Sequence, residues 1–222
     1  MKFDILTLFP EMFEPLKASV IGKAVQKEQI DINLINIRDF SKDKHKKVDD
    51  TPYGGGAGMV MKPDVVYQAY QSIGKDKKAK VIYMSPQGKT LNQQKVEELS
   101  KESHLIVLCG HYEGIDQRVL DKIVDEEISI GDYVLTGGEI PAMVLIDSVS
   151  RYVEGVLNQE SIREESFSNG MLEYPQYTRP EVFEGEPVPE ILLSGHHGKI
   201  ERWRREKSLE MTKKKRPDLL KN

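Results

Sequence analysis

The chain has little that crosslinks, anchors or spans. Cys109 is the single cysteine among 222 residues, so no intrachain disulfide can form, and a reducing, cytoplasmic compartment is expected. No uncharged apolar run approaches the roughly 18 residues that a spanning helix needs, which argues against a helical membrane protein. The first residues carry an acid at Asp4 and no long apolar stretch, which reads against a secretory leader. Several chemical signatures are missing as well. There is no C-x-x-C or H-E-x-x-H, so no zinc ligand set is visible. There is no G-x-x-x-x-G-K-[ST] phosphate loop, no G-x-G-x-x-G and no G-x-S-x-G elbow, so P-loop, classical dinucleotide and serine-nucleophile chemistry lose weight.

What is present is a soluble, globular composition, with 31% charged and 38% hydrophobic residues, enough for one full domain and a small appendage. The net charge of −4 hides an asymmetry. Residues 196–222 hold ten Lys/Arg against four Asp/Glu, a local +6, and leave −10 on the remainder. A basic end on an acidic body suggests a polyanionic partner, although a solvated helix with ordinary lysines reads equally well.

Strand-like and helix-like segments alternate. Residues 3–9, 31–37, 79–84, 105–109 and 127–130 read as strands, and 105–109, apolar throughout, suits a strand covered on both faces. Helical patterns follow. The first has Pro15 in its first turn and an apolar stripe of Leu16, Val20, Ile21, Ala24 and Val25. The others cover 63–73, 92–102, 116–124 and, opened by Pro141, 141–153. This alternation predicts an α/β domain with a mainly parallel sheet. Residues 154–170 are polar and without period, which predicts a flexible linker that orders when a substrate arrives. A small, mostly helical domain is expected over 171–222, with a charged helix at 200–211 and Trp203 in its core.

Three glycine-bearing loops follow predicted strands: Ser85-Pro-Gln-Gly88, Gly110-His-Tyr-Glu-Gly-Ile-Asp116 and Ile130-Gly-Asp-Tyr-Val-Leu-Thr-Gly-Gly-Glu-Ile-Pro141. Ligands of open α/β sheets bind at the carboxyl ends of the strands, so the loops have a common reason to converge. Glycines let the main chain approach a flat ligand closely, and Ile130, Tyr133 and Leu135 offer an apolar lining. Any one of these loops alone reads more readily as a tight turn, whereas three on one parallel sheet favour a ligand site.

These loops, together with Val48-Asp-Asp-Thr-Pro-Tyr-Gly-Gly-Gly-Ala-Gly-Met59 and Tyr174-Pro-Gln-Tyr-Thr-Arg-Pro180, resemble the bacterial tRNA (guanine-N1)-methyltransferase family. The resemblance runs in order over residues 3–220. It implies methylation of the guanine at tRNA position 37, beside the anticodon. It implies the SPOUT fold, an α/β domain tied in a trefoil knot, which general connection rules alone would have rejected. It implies a homodimer with active sites built from both subunits, S-adenosylmethionine as methyl donor, and magnesium, for which no ligand cluster is visible. The layout would be a donor-binding catalytic domain at 1–153, the linker at 154–170 and a tRNA-binding domain at 171–222. Neither a DNA nor a membrane partner is expected. A related knotted methyltransferase acting on ribosomal RNA, or a non-catalytic RNA-binding protein on the same fold, would be the alternatives.

Carried over motif by motif, the donor site would include Pro86 and Gly88 from the first loop, and Gly110, Tyr112, Glu113 and Gly114 from the second. The third would supply Ile130, Gly131, Asp132, Tyr133, Val134 and Leu135, then Gly137, Gly138 and Pro141. The reaction itself sets two requirements. Guanine N1 is protonated at neutral pH and needs a base; as the proton leaves, charge grows on O6, which a guanidinium can stabilise. The resemblance places the arginine at Arg151, which on residues alone would read as a surface ion pair. It places the base at Glu165, where the family has an aspartate. Glu173, also an aspartate in the family, is held in reserve. Substrate contacts are expected from Asp49, Asp50 and Tyr53, then Glu173, Arg179, His197, Lys199, Arg202 and Arg204. The run Lys213, Lys214, Lys215 and Arg216 would grip phosphates or simply be solvated.

Overall fold

The computed structural model describes residues 1–74, 78–158, 162 and 164–221. The chain divides into two units, Met1–Leu157 and Asn158–Asn222. Part of the predicted linker, residues 159–161 and 163, lies outside the described residues.

Unit 1 is built on five parallel strands: β1 (Lys2–Thr7), β2 (Asp31–Asn36), β5 (Lys80–Thr90), β6 (His104–Cys109) and β7 (Glu126–Ser129), in the order β2-β1-β6-β5-β7. Two short strands, β3 (Asp49–Asp50) and β4 (Val60–Met61), pair antiparallel beside it. The α-helices described in this unit are α1 (Ser19–Gln26), α2 (Pro63–Ser72), α3 (Gln93–Leu99), α4 (Gln117–Ile123) and α5 (Glu139–Ser150). Alternation along the strands explains the layering. Leu105, Val107 and Cys109 of β6 pack with Ile21 of α1, Val96 of α3 and Leu145 of α5, whereas Ile106 and Leu108 pack with Val65 of α2 and Val119 of α4. The central strand is therefore buried on both faces, as its continuous apolar run requires.

Three expected boundaries are corrected. Pro15 does not open α1; it lies inside a 3₁₀ helix, Pro10–Lys17. Ser19 then takes a positive φ of 56° and starts a separate helix. Gly22 lets that helix pass close to the preceding turn, since a Cβ there would sit 2.1 Å from the Lys17 carbonyl oxygen. Residues 85–89 are not a free loop either. β5 runs on to Thr90 with a register shift between Met84 and Lys89. Gly88 makes this possible, because a Cβ there would stand 2.4 Å from the Glu127 carbonyl carbon. Finally, α5 begins at Glu139 rather than Pro141, which a proline tolerates in a first turn that has no earlier carbonyl to bond.

Unit 2 holds a short hairpin, β8 (Val182–Phe183) and β9 (Glu186–Pro187), a single-turn helix α6 (Glu190–Leu193) and the 19-residue α7 (His197–Lys215). The hairpin adds to the elements expected from the sequence. Trp203 is half-buried and faces Tyr177, with ring centroids 6.3 Å apart.

Candidate functional site

β5, β6 and β7 are neighbours in the sheet, and Met84 pairs with both Cys109 and Ile128. The segments leaving their carboxyl ends therefore surround one space. It is a cavity of about 340 Å³, lined by residues 83–87, 110–115, 127–131, 133–138, Gln117, Leu120 and Pro141. Pro86, Gly110, Tyr112, Glu113, Gly114, Ile130, Gly131, Tyr133, Val134, Leu135, Gly137, Gly138 and Pro141 all line it. Gly88 and Asp132 do not; Gly88 packs on β7 and Asp132 is exposed.

Backbone bonds hold the walls together. Gly138 N donates to Gly110 O at 2.9 Å, which joins the second and third loops. Glu113 N donates to Met59 O at 2.9 Å and Met61 N to Gly114 O at 2.9 Å, which tie the second loop to β4. The approach between loops is tight: a Cβ at Gly138 would lie 2.8 Å from the Cys109 Cα and 3.0 Å from the Gly110 nitrogen. The second loop turns through Tyr112 and Gly114, with φ of 60° and 114°. The third folds back through the Ser129 hydroxyl, which donates to Gly131 O at 2.9 Å and accepts from Gly131 N at 3.1 Å.

Tyr83 and His111 line the cavity and were not singled out in the sequence. Burial, helped by the nearby Glu127 carboxylate, pushes the Tyr83 phenol up to about 12, so it stays a neutral hydroxyl. Behind the cavity lies Glu139, only 1% exposed, in the first turn of α5, where the helix dipole favours an anion. Thr7 Oγ1 donates to its Oε1 at 2.8 Å, and His111 Nδ1 stands 3.9 Å from its Oε2. Burial and the Glu139 charge hold the Cys109 thiol well above its ordinary range, which makes it inert. Glu139 belongs to a quoted motif, but its partner Thr7 is 132 residues away.

Asp49 and Asp50 form β3 and pair with Met61 and Val60, directly beside the second loop. The Thr51 amide, then Lys47, hold the Asp50 carboxyl below the usual carboxylate range. Tyr53 is 98% exposed in the glycine-rich turn that follows. Arg151 caps the far end of α5 and does not line the cavity. At 1.5 Å per residue, the ten positions separating it from Pro141 amount to about 15 Å of helix.

In unit 2, Glu165 and Glu173 line one smaller hollow of about 170 Å³, along with Glu164, Tyr174, Arg204 and Arg205. Arg204 Nη1 reaches Glu164 Oε2 at 3.4 Å, and its guanidinium lies 4.8 Å from the centre of the Tyr174 ring. Arg179, His197, Lys199 and Arg202 are exposed, the last three on α7. Among the described residues no group of three or more His, Cys, Asp or Glu could hold a metal ion. Nor is any described helix long and apolar enough to cross a membrane.

Comparison with known proteins adds the following. The family model described as tRNA (guanine-1)-methyltransferase TrmD matches residues 1–222. The tRNA (guanine-N(1)-)-methyltransferase of Ruminiclostridium cellulolyticum is 62% identical over 223 residues, covering 99% of this chain and 96% of its own. Those of Clostridium botulinum (strain Kyoto) and Caldanaerobacter subterraneus subsp. tengcongensis are 58% and 60% identical, each covering 100% of this chain and 92% of their own.

Proposed function

We propose, from the premise that this chain belongs to the tRNA (guanine-1)-methyltransferase family, that it transfers a methyl group from S-adenosylmethionine to N1 of the guanine at position 37 of tRNA. The observation that carries this reading is the glycine-walled cavity where β5, β6 and β7 end. Its volume suits a ligand of that size, and its walls close tightly on glycine: a Cβ at Gly110 would lie 2.7 Å from the Tyr83 hydroxyl and one at Gly138 2.8 Å from the Cys109 Cα. Gly110, Tyr112, Gly114, Ile130, Tyr133 and Leu135 would hold the donor there. When bound, it supplies an electrophilic methyl carbon.

The chain's own groups then perform three tasks. The loops hold the two reactants in line and exclude water. The carboxylate of Glu165, or of Glu173 in reserve, accepts the N1 proton. The Arg151 guanidinium donates hydrogen bonds to O6 as negative charge collects there. Because Arg151 lies about 15 Å along α5 from the cavity's own Pro141, the reading is a homodimer in which one subunit's arginine serves its partner's donor. The knot belongs to the same reading.

The test is radiolabelled methyl transfer to a tRNA transcript, followed by location of the modified nucleoside. The expected product is 1-methylguanine at position 37. Glu165→Gln is expected to lower kcat by about 10²-fold or more while donor affinity is kept, because it removes a base and no binding contact. Retention of tRNA without methylation would reduce the chain to an RNA-binding protein.

A further inference from the structure

Thr212 is fully buried on α7, and Ser208, one turn earlier, is nearly so. Serine and threonine inside a helix usually bond back to their own carbonyls or to water. These two do more. Leu172 N donates to Thr212 Oγ1 at 2.9 Å, and Ser208 Oγ donates to Leu172 O. Thr212 Oγ1 in turn donates to Ser208 O at 2.7 Å. Both backbone groups of one residue are thus taken by two hydroxyls of a helix, much as a neighbouring strand would take them.

Leu172 sits next to Glu173, and the same stretch closes on itself. Glu173 N donates to Ser166 Oγ at 3.1 Å, and Phe167 N to Met171 O at 2.7 Å. At the loop's base, Tyr174 donates to Glu164 Oε2 at 2.7 Å, and Arg204 reaches the same carboxylate. The two carboxylates of interest, Glu165 and Glu173, therefore belong to one closed loop, and the Leu172 bonds set its register on α7.

We infer that Ser208 and Thr212 are positioning residues for methyl transfer, because they fix where the loop, and so its carboxylates, can stand. This rests on the reading in which one of those carboxylates takes the N1 proton. Apolar packing on α7 could hold the loop nearby, but such contacts are non-directional. A slip of one residue would displace both carboxylates by about 3.5 Å. Misplacement by even 1 Å costs on the order of 10²-fold in rate. A directional donor and acceptor on a single residue removes that freedom.

The experiment is steady-state methyl transfer by the full chain, with donor affinity measured by calorimetry. Thr212→Val is expected to lower kcat about tenfold or more, with the KM for tRNA within about twofold and donor affinity unchanged. Ser208→Ala should lose kcat in the same selective way. Thr212→Ser, which keeps the hydroxyl, should recover kcat to within about threefold of the parent. A parent-like kcat in Thr212→Val overturns the inference. So does a loss of kcat matched by an equal loss of tRNA affinity that Thr212→Ser fails to rescue, because that is a folding role. If Thr212→Val does not fold, Ser208→Ala decides: a selective loss of kcat supports the inference and a parent-like kcat overturns it. Full activity in both Glu165→Gln and Glu173→Gln would instead overturn the reading beneath. Loss in either of them, together with a parent-like Thr212→Val, overturns only this inference.

Discussion

Asp4 is a carboxylate with no exposed side-chain surface in the middle of β1, and its neighbours explain why it can be charged there. Burial by itself would raise its pKa. Hydrogen bonds from Asn33 Nδ2 at 2.8 Å, from Lys2 and from His104 outweigh burial and leave the carboxyl below its ordinary value. The sign follows from that direction. A depressed carboxyl contributes stability that is complete above its unfolded value, near 4, and is lost as the pH falls through the lower folded value. Removing the charge takes away the buried carboxylate that Asn33 and His104 bond, so Asp4→Ala should destabilise the chain by about 3 kcal/mol at pH 7. The variant should also lose part of the parent's acid-dependent unfolding, read as midpoints of thermal melts between pH 7 and 3. A variant as stable as the parent, with the same acid slope, would make the cluster incidental. Nothing local in the sequence points to this cluster, because Asp4 and His104 are 100 residues apart. The same holds for Thr7 and Glu139. The glycine-bearing loops, by contrast, were legible at the residue scale, because their constraint is carried by the residues themselves.

At the scale of elements, periodicity marked out all five strands of the main sheet and missed the continuation of β5. That strand survives the stretch 85–89 because of a bulge against β7, a tertiary contact that turn-forming residues conceal. The end of α7 poses a different question. Lys213, Lys214 and Lys215 occupy its last turn and are exposed, a placement that complements the helix dipole and needs no partner. Phosphate binding is the competing role, and salt separates the two. If the lysines grip RNA, replacing all three by alanine should weaken tRNA binding and reduce the slope of log K against log salt by about 2, at roughly 0.7 per single-stranded phosphate. Filter binding across a salt series measures it. An unchanged slope would leave the run with the helix alone.

At the scale of the whole molecule, the sequence is least informative, because the proposed knot and shared active site would be relations between distant segments or between chains. Neither produces a local pattern. The placement of Arg151 does bear on the second. It ends α5 while the cavity lies at the beginning of α5, so one chain holds its arginine about 15 Å along the helix from its own cavity. A homodimer with exchanged contributions resolves that separation, and it makes a prediction that no single-chain site shares. Arg151→Ala and Glu165→Gln would each be nearly inactive alone. If a site takes Arg151 from one subunit and Glu165 from the other, a mixed dimer contains one doubly defective site and one intact site. Random re-pairing of equal amounts makes half the dimers mixed, so about a quarter of the parent activity should return. Co-refolding the two variants and measuring methyl transfer against the unmixed proteins reads this directly. If mixing restores nothing while native mass measurement shows mixed dimers, the Arg151 and Glu165 of any one site come from the same subunit, and their division between subunits is overturned.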